Sequence, residues 1–306
     1  MPPTVLDGDS AEFQYMAYIL GVPHSSGYPL YILIAKLFTF LPFGDVAYRV
    51  NLFSVVSAAL TIPLVYAVAR RLIDIRVPSL LATLIFAVTP SVWGGALETK
   101  TYALHLFFGV FCVLFALRWH QDGKLRDFYW LAFIFGLGLT NHHVIVFLAP
   151  ALALIVWLNR VRLNRAMVAK GMLLTLLPLL LYAYIPIRAS QLVAQQDPEN
   201  WKLYTREDAI LKGTISAYYR HSLDGFLNLI TGFDNSYKIK SPFGDDRLQL
   251  VMTLLLQQFG VVGIALSALG VFESFRRDRK QFAFVFLIAL GIGTVATVLR
   301  GISAMF

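Results

Sequence analysis

Charged side chains are scarce in this sequence. Asp, Glu, Lys and Arg make up 14% of its 306 residues, against about 25% in an ordinary soluble domain, too few to coat a water-facing globule of this length. Cysteine is almost missing: the single Cys112 lies inside an apolar run, which excludes a disulfide-built scaffold within the chain. No Walker A loop, GxGxxG turn, HExxH helix or Cys/His zinc pattern occurs, so the expected chemistry needs no cofactor and no metal. Repeats, low-complexity tracts and a cleavable signal peptide are absent as well. What the chain has instead is 58% hydrophobic residues, gathered in blocks of the roughly 20 residues that a bilayer-crossing helix needs. The expected fold is all-α, a polytopic helical membrane protein whose first partner is the lipid bilayer.

The net charge of +8 would suit nucleic acid, but its placement argues against such a partner. Over half of the 26 basic residues fall in four clusters: Arg70, Arg71 and Arg76; Arg118, Lys124 and Arg126; Arg160, Arg162, Arg165 and Lys170; Arg276, Arg277, Arg279 and Lys280. Each lies between apolar blocks, as cytoplasmic loops do under the positive-inside rule. The candidate spans are Tyr48–Ala69, Val77–Leu97, Thr101–Leu117, Met172–Ile187, Leu250–Phe272 and Phe282–Leu299. Residues 128–158 are interrupted at Asn141-His142-His143. A straight helix there would run about 46 Å against a hydrocarbon core of about 30 Å, and would put its basic flanks on opposite sides. A hairpin of two short helices keeps all four clusters together and is preferred. The chain then reads as one transmembrane domain, 1–306: an outer loop (1–46), helices with a broken hairpin (48–187), a long outer segment (188–249) and C-terminal helices (250–306).

Opposite the basic face, the first outer region reads as two short interfacial helices, Ser10–Leu20 and Tyr28–Leu41, around the turn-rich GVPHSSGYP. Five places there could carry chemistry. Asp9 and Glu12 offer a carboxylate base at the membrane surface, or else a capping box for the helix that follows. His24 and Tyr28 stand in a turn on the same face. Glu98 and Tyr102 flank a short link that also reads as a solvated Glu-Lys pair. Asn141, His142 and His143 form either a cavity wall or a self-satisfied polar turn, intramembrane polar groups being functional suspects. Arg188 emerges from a span and either snorkels or binds phosphate.

These pieces, in this order, resemble a known family. GDSAEFQYMAYILGVPHSSGYPLYILIAKLF is similar to a first outer loop of the DSGEF…LGVAHPPGYPLY type, and YRVNLFS, LETKTYAL, GLTNHHVIVFLAP, YIPIRAS…DPENW and QFGVVGIALSALG fit later landmarks. The family is that of the transmembrane protein O-mannosyltransferase and its bacterial relatives, in the GT-C superfamily of membrane glycosyltransferases. The likeness runs from Leu6 to Phe272; Ala11 stands where glycine is usual, and Ser25-Ser26 where proline is common.

The resemblance implies a GT-C-like bundle that moves a sugar, mannose favoured, from a polyprenyl-phosphate carrier to a protein or glycan acceptor, Ser/Thr hydroxyls favoured, on the extracytoplasmic side. It makes Asp9 the base of an inverting displacement, with Glu12 beside it. His24 and Tyr28 would line the sugar pocket, and Arg188, backed by His142 and His143, would receive the leaving phosphate; Glu98, Tyr102 and Asn141 are further candidate substrate-binding residues. The expected location is a bacterial inner membrane. Members of the superfamily begin with a helix leading into the catalytic loop, so a chain cut short at both ends is expected. The rival reading is a transporter or flippase for a lipid-linked or small polar substrate; a non-catalytic membrane scaffold is the third.

Overall fold

The computed structural model describes residues 2–196, 213, 215, 219, 222–231 and 245–298. Apart from one isolated bridge between Val22 and Ile215, the regular structure among them is helical. Two short helices, α1 (Gly8–Ile19) and α2 (Pro29–Phe38), precede the long α3 (Val46–Ile73). There follow α4 (Arg76–Ala87), α5 (Pro90–Leu97), α6 (Tyr102–Asp122), α7 (Leu125–Asn141), a 3-10 turn at His143–Leu148, α8 (Ala149–Leu158) and α9 (Arg165–Leu176). After a further 3-10 stretch at Leu177–Ala183 come α10 (Tyr184–Gln196), α11 (Leu223–Thr231), α12 (Asp245–Arg277) and α13 (Arg279–Val298).

Four segments are long and apolar enough to cross a bilayer: Val46–Ile73, Tyr102–Asp122, Arg165–Gln195 and Met252–Arg277. The span expected over Val77–Leu97 is bent. Its halves, α4 and α5, meet at 52°, because Pro90 has no N–H to give to the helix and its ring disfavours helical backbone at Thr89. Counted as one broken span, this pair makes a fifth. α12 is also interrupted, at Gly260, where φ is 62° and ψ 179°.

Small residues let the spans approach. A methyl added at Gly136 of α7 would run into the Thr175 carbonyl of α9, and one at Gly171 would meet the Phe128 ring at 2.7 Å. Thr175 Oγ1 donates across that contact to the Ala132 carbonyl at 3.1 Å. Without a hydrophobic force between helices in lipid, such close packing and interhelical bonding carry association. Along α3 and α4, the buried Ser57, Thr61, Ser79 and Thr83 hydroxyls donate back to carbonyls four residues earlier, so each of these four is satisfied within its own helix.

The four basic clusters gather at one end. Arg71 pairs with Asp122 through two bonds of 2.5 and 2.9 Å, joining the ends of α3 and α6. Arg162 donates to the Trp119 and His120 carbonyls at 3.2 and 3.1 Å, and Asn159 Nδ2 lies 2.8 Å from His120 Nδ1. The far end of α8 therefore returns to where α7 began, the hairpin expected over 128–158. Gln281 Nε2 donates to the Leu72 carbonyl at 3.4 Å, placing the last cluster beside the first.

Candidate active site

At the opposite end, α1 and α2 form a cap held by a buried polar knot. Asn51 of α3, 0% exposed, accepts from Gln14 Nε2 at 2.6 Å and from the Thr99 hydroxyl, and donates to the Pro2 and Thr4 carbonyls at 3.1 and 3.3 Å. Leu6 N–H closes the knot on Gln14 Oε1 at 3.2 Å. These bonds fix α1, and with it the carboxylates of its first turns, against α3 and the Glu98–Thr101 link.

The capping-box alternative for Asp9 and Glu12 does not hold. The helix begins at Gly8, with Asp7 in the cap position and Asp9 already inside the first turn. Glu12 turns away from the helix start to His24: its Oε1 accepts the His24 N–H at 2.8 Å and its Oε2 lies 2.6 Å from His24 Nδ1. A carboxylate can only accept, so Nδ1 carries the proton of this contact.

The turn that delivers His24 uses two left-handed residues, Gly27 (φ 78°) and Tyr28 (φ 41°), before Pro29 opens α2. Glycine at 27 also makes room, since a Cβ there would sit 2.5 Å from Ile185 Cδ1. Tyr28 is buried and donates its hydroxyl to the Ser25 carbonyl at 2.6 Å. Burial first, then the neighbouring Tyr102 and Asp9, push its phenol far above the usual tyrosine range, so it stays a protonated wall.

Aromatic and imidazole rings continue the wall. Tyr28 lies 5.5 Å from His142, ring centre to ring centre, and His142 lies 6.2 Å from Tyr102, 5.4 Å from His105 and 5.1 Å from His143. Asp9 acts electrostatically on both the Tyr28 and Tyr102 phenols, Glu98 acts on Tyr102, and His24 acts on His142. Asn141 donates to the Thr101 carbonyl at 3.3 Å, tying the end of α7 to the start of α6. Its Oδ1, with the Nδ1 atoms of His105 and His143, is buried with no protein partner, a combination that a polar ligand would satisfy.

Nine of the expected residues thus converge: Asp9, Glu12, His24, Tyr28, Glu98, Tyr102, Asn141, His142 and His143. Arg188 goes elsewhere. Its Nε and Nη2 donate to the Leu20 and Ile19 carbonyls at 2.8 and 2.9 Å, and Nη1 to Gln191 at 3.1 Å. It closes the carbonyl end of α1, where a cation is favoured, while Tyr184 of the same helix donates to the Gly21 carbonyl at 2.9 Å. The YIPIRAS motif braces the turn that bears His24, and its DPENW continuation lies outside the described residues.

Sequence reading missed Gln14, Asn51, Thr99 and His105 as parts of this end, and read Lys100 there as half of a Glu-Lys pair. An asparagine and a histidine inside apolar helices were signals in principle. One arrangement also bears on metals. Asp9, Glu12 and His24 present ligand atoms within 4.8 Å of one another and could hold a cation, although Glu12 already binds His24 directly through both oxygens.

The family described as "Protein O-mannosyl-transferase TMEM260 N-terminal domain" matches residues 9–165. The "Protein O-mannosyl-transferase TMEM260" of Mus musculus is 27% identical over 305 residues, covering 94% of this chain and 40% of that protein. Its namesake in Dictyostelium discoideum is 23% identical over 287 residues, covering 88% of this chain and 34% of that protein. The chain spans well under half the length of either relative. Both are eukaryotic and lend no support to a bacterial inner membrane. No solved structure matches the chain.

Proposed function

We propose, on the premise that the chain belongs to the Protein O-mannosyl-transferase TMEM260 N-terminal domain family, that it is a membrane glycosyltransferase moving mannose from a polyprenyl-phosphate carrier to a protein Ser or Thr hydroxyl on the extracytoplasmic side. The observation that carries this reading is the meeting of Asp9, the Glu12–His24 pair, Tyr28, Tyr102 and the His142–His143 break in one place, beside residues long and apolar enough to span a bilayer. Of the described carboxylates there, Asp9 is exposed and accepts no protein hydrogen bond that would occupy it. It takes the proton of the acceptor hydroxyl as that oxygen attacks the anomeric carbon. The bond to the carrier phosphate breaks, and the electron pair leaves with the phosphate. Glu12 acts one step back, holding His24 in a single ring orientation at the edge of the pocket.

The test is transfer of labelled mannose from a polyprenyl-phosphate mannose to a Ser/Thr peptide by the chain in lipid nanodiscs. Asp9→Asn is expected to lower kcat by about 10²–10⁴, the range of general-base catalysis, with donor binding kept. Transfer by the Asn variant at the parent rate would overturn the assignment of the base.

A further inference from the structure

Resting on that reading, we propose that Lys100 is the cation that receives the carrier phosphate, with Glu98 as its partner until the donor arrives. Charge developing on a leaving phosphate calls for a positive group fixed nearby. On the face away from the basic clusters, the lysines and arginines whose side chains the structure describes are Lys36, Arg49, Lys100 and Arg188. Lys36 donates to the Tyr18 carbonyl, Arg49 to the Thr39, Phe43 and Gly44 carbonyls, and Arg188 to those of Ile19 and Leu20. All three are bound to backbone whose helix ends and turns need them.

Lys100 differs. Its ammonium is held by a side chain, Glu98 Oε2 at 2.8 Å, and by the face of Tyr102, 6.0 Å from the ring centre. Its side chain is 16% exposed while that of Glu98 is 40% exposed, so the cation is the sheltered member and the carboxylate the one free to swing out. The link that bears it is sewn on both sides of the pocket, by Thr99 to Asn51 of α3 and by Thr101 to Asn141 of α7. The Tyr102 ring in turn lies 6.2 Å from that of His142. Lys100 therefore stands one ring away from the imidazoles, with a side-chain carboxylate as its anionic partner.

The chemistry fits an exchange of anions. The donor is a phosphodiester with one negative charge. When the bond between the anomeric carbon and phosphate oxygen breaks, that oxygen keeps the electron pair, the acceptor oxygen bonds the sugar, and the acceptor proton goes to Asp9. The released monoester carries nearly one charge more. A phosphate approaching Lys100 displaces Glu98, and the added charge strengthens the contact as the bond breaks. Lys100 thus stabilises the transition state more than the bound donor, which shows in kcat more than in KM.

The deciding experiment measures binding of a short-chain prenyl phosphate, without sugar, to the protein in neutral-lipid nanodiscs, alongside transfer kinetics. Lys100→Gln is expected to weaken prenyl-phosphate binding at least tenfold and lower kcat by about 10²–10³, the range for losing one preorganised electrostatic contact; Lys100→Arg retains most of the binding. Glu98→Gln is expected to tighten binding several-fold, because it removes the competing carboxylate. A merely structural ion pair predicts the reverse for Glu98→Gln. If the parent binds prenyl phosphate and Lys100→Gln binds it equally well, the role of Lys100 is refuted. If the parent binds none, the carrier reading itself falls, and Lys100 with it.

Discussion

Replacing Arg188 by alanine is expected to loosen the turn that bears His24. In the structure its guanidinium closes the carbonyl end of α1 through bonds of 2.9 and 2.8 Å to Ile19 and Leu20. Hydrogen bonds to charged groups contribute about 1.5–3 kcal/mol each, and a cation at a helix carbonyl end adds about 0.3–1 kcal/mol. Arg188 is only half-buried, so water can take up part of what is lost, and about 3 kcal/mol in total is the reasonable figure. At about 1.4 kcal/mol per tenfold, that raises the open population of the α1–α2 cap roughly 100-fold. Amide hydrogen exchange reads such local opening directly. Exchange over residues 8–24 is expected to accelerate by that factor in Arg188→Ala and by less in Arg188→Lys, while the amides of α3 and α6 keep their protection. The reasoning is refuted if exchange in the cap is unchanged and prenyl-phosphate binding is lost instead, the signature of a phosphate ligand and not of a clamp.

Two further substitutions probe the framework. Asn51→Leu strips the knot of its centre and leaves Gln14 Nε2 and the Thr99 hydroxyl with only each other, 3.5 Å apart; a cost of about 2–4 kcal/mol is expected from buried groups left unsatisfied, seen as a lowered unfolding midpoint in detergent and faster exchange over residues 2–20, and an unchanged midpoint would show that the knot is dispensable. Gly136→Val forces a side chain into the Thr175 carbonyl of α9 and is expected to cost about 1–3 kcal/mol through overpacking, whereas Gly95→Ala, where a Cβ meets nothing within 4 Å, is the neutral control; equal midpoints for the two variants would contradict the close α7–α9 contact.

The helices were legible because length and hydropathy decide them, and so was the hairpin, because four basic clusters had to share a side. The bend between α4 and α5 was also written in the sequence, as Pro90, but an apolar run from Val77 to Leu97 hid it. The site divides the same way. Glu12 and His24 are twelve positions apart, and nothing in their spacing says that both carboxylate oxygens point at one histidine; only the left-handed pair Gly27–Tyr28 and the docking of the turn on Ile185 bring that about. Where Arg188 points was hidden for an equally physical reason. An arginine at a membrane boundary serves a phosphate and a row of helix carbonyls with the same fork of donors, and which of them lies within reach is a matter of tertiary packing.

Position along the membrane normal supplies the remaining constraint. Backbone that leaves the helix at membrane depth must be buried in protein or face a wet cavity, since lipid offers its N–H and C=O groups no partner. Three of the non-helical breaks, at residues 20–28, the Glu98–Thr101 link and His142, bring side chains to the same cluster: His24 and Tyr28 from the first, Glu98 and Lys100 from the second, His142 from the third. Each is also tied to its neighbours by side chains acting as surrogate backbone partners, Tyr184 and Arg188 on residues 19–21, Asn141 on the Thr101 carbonyl, and His142 Nδ1 on the Val144 N–H at 3.3 Å. The breaks are therefore more than connections between spans. They are where the fold can present polar side chains without lipid contact, and this is why the chemistry-bearing residues sit beside them while the helices between carry almost nothing but packing.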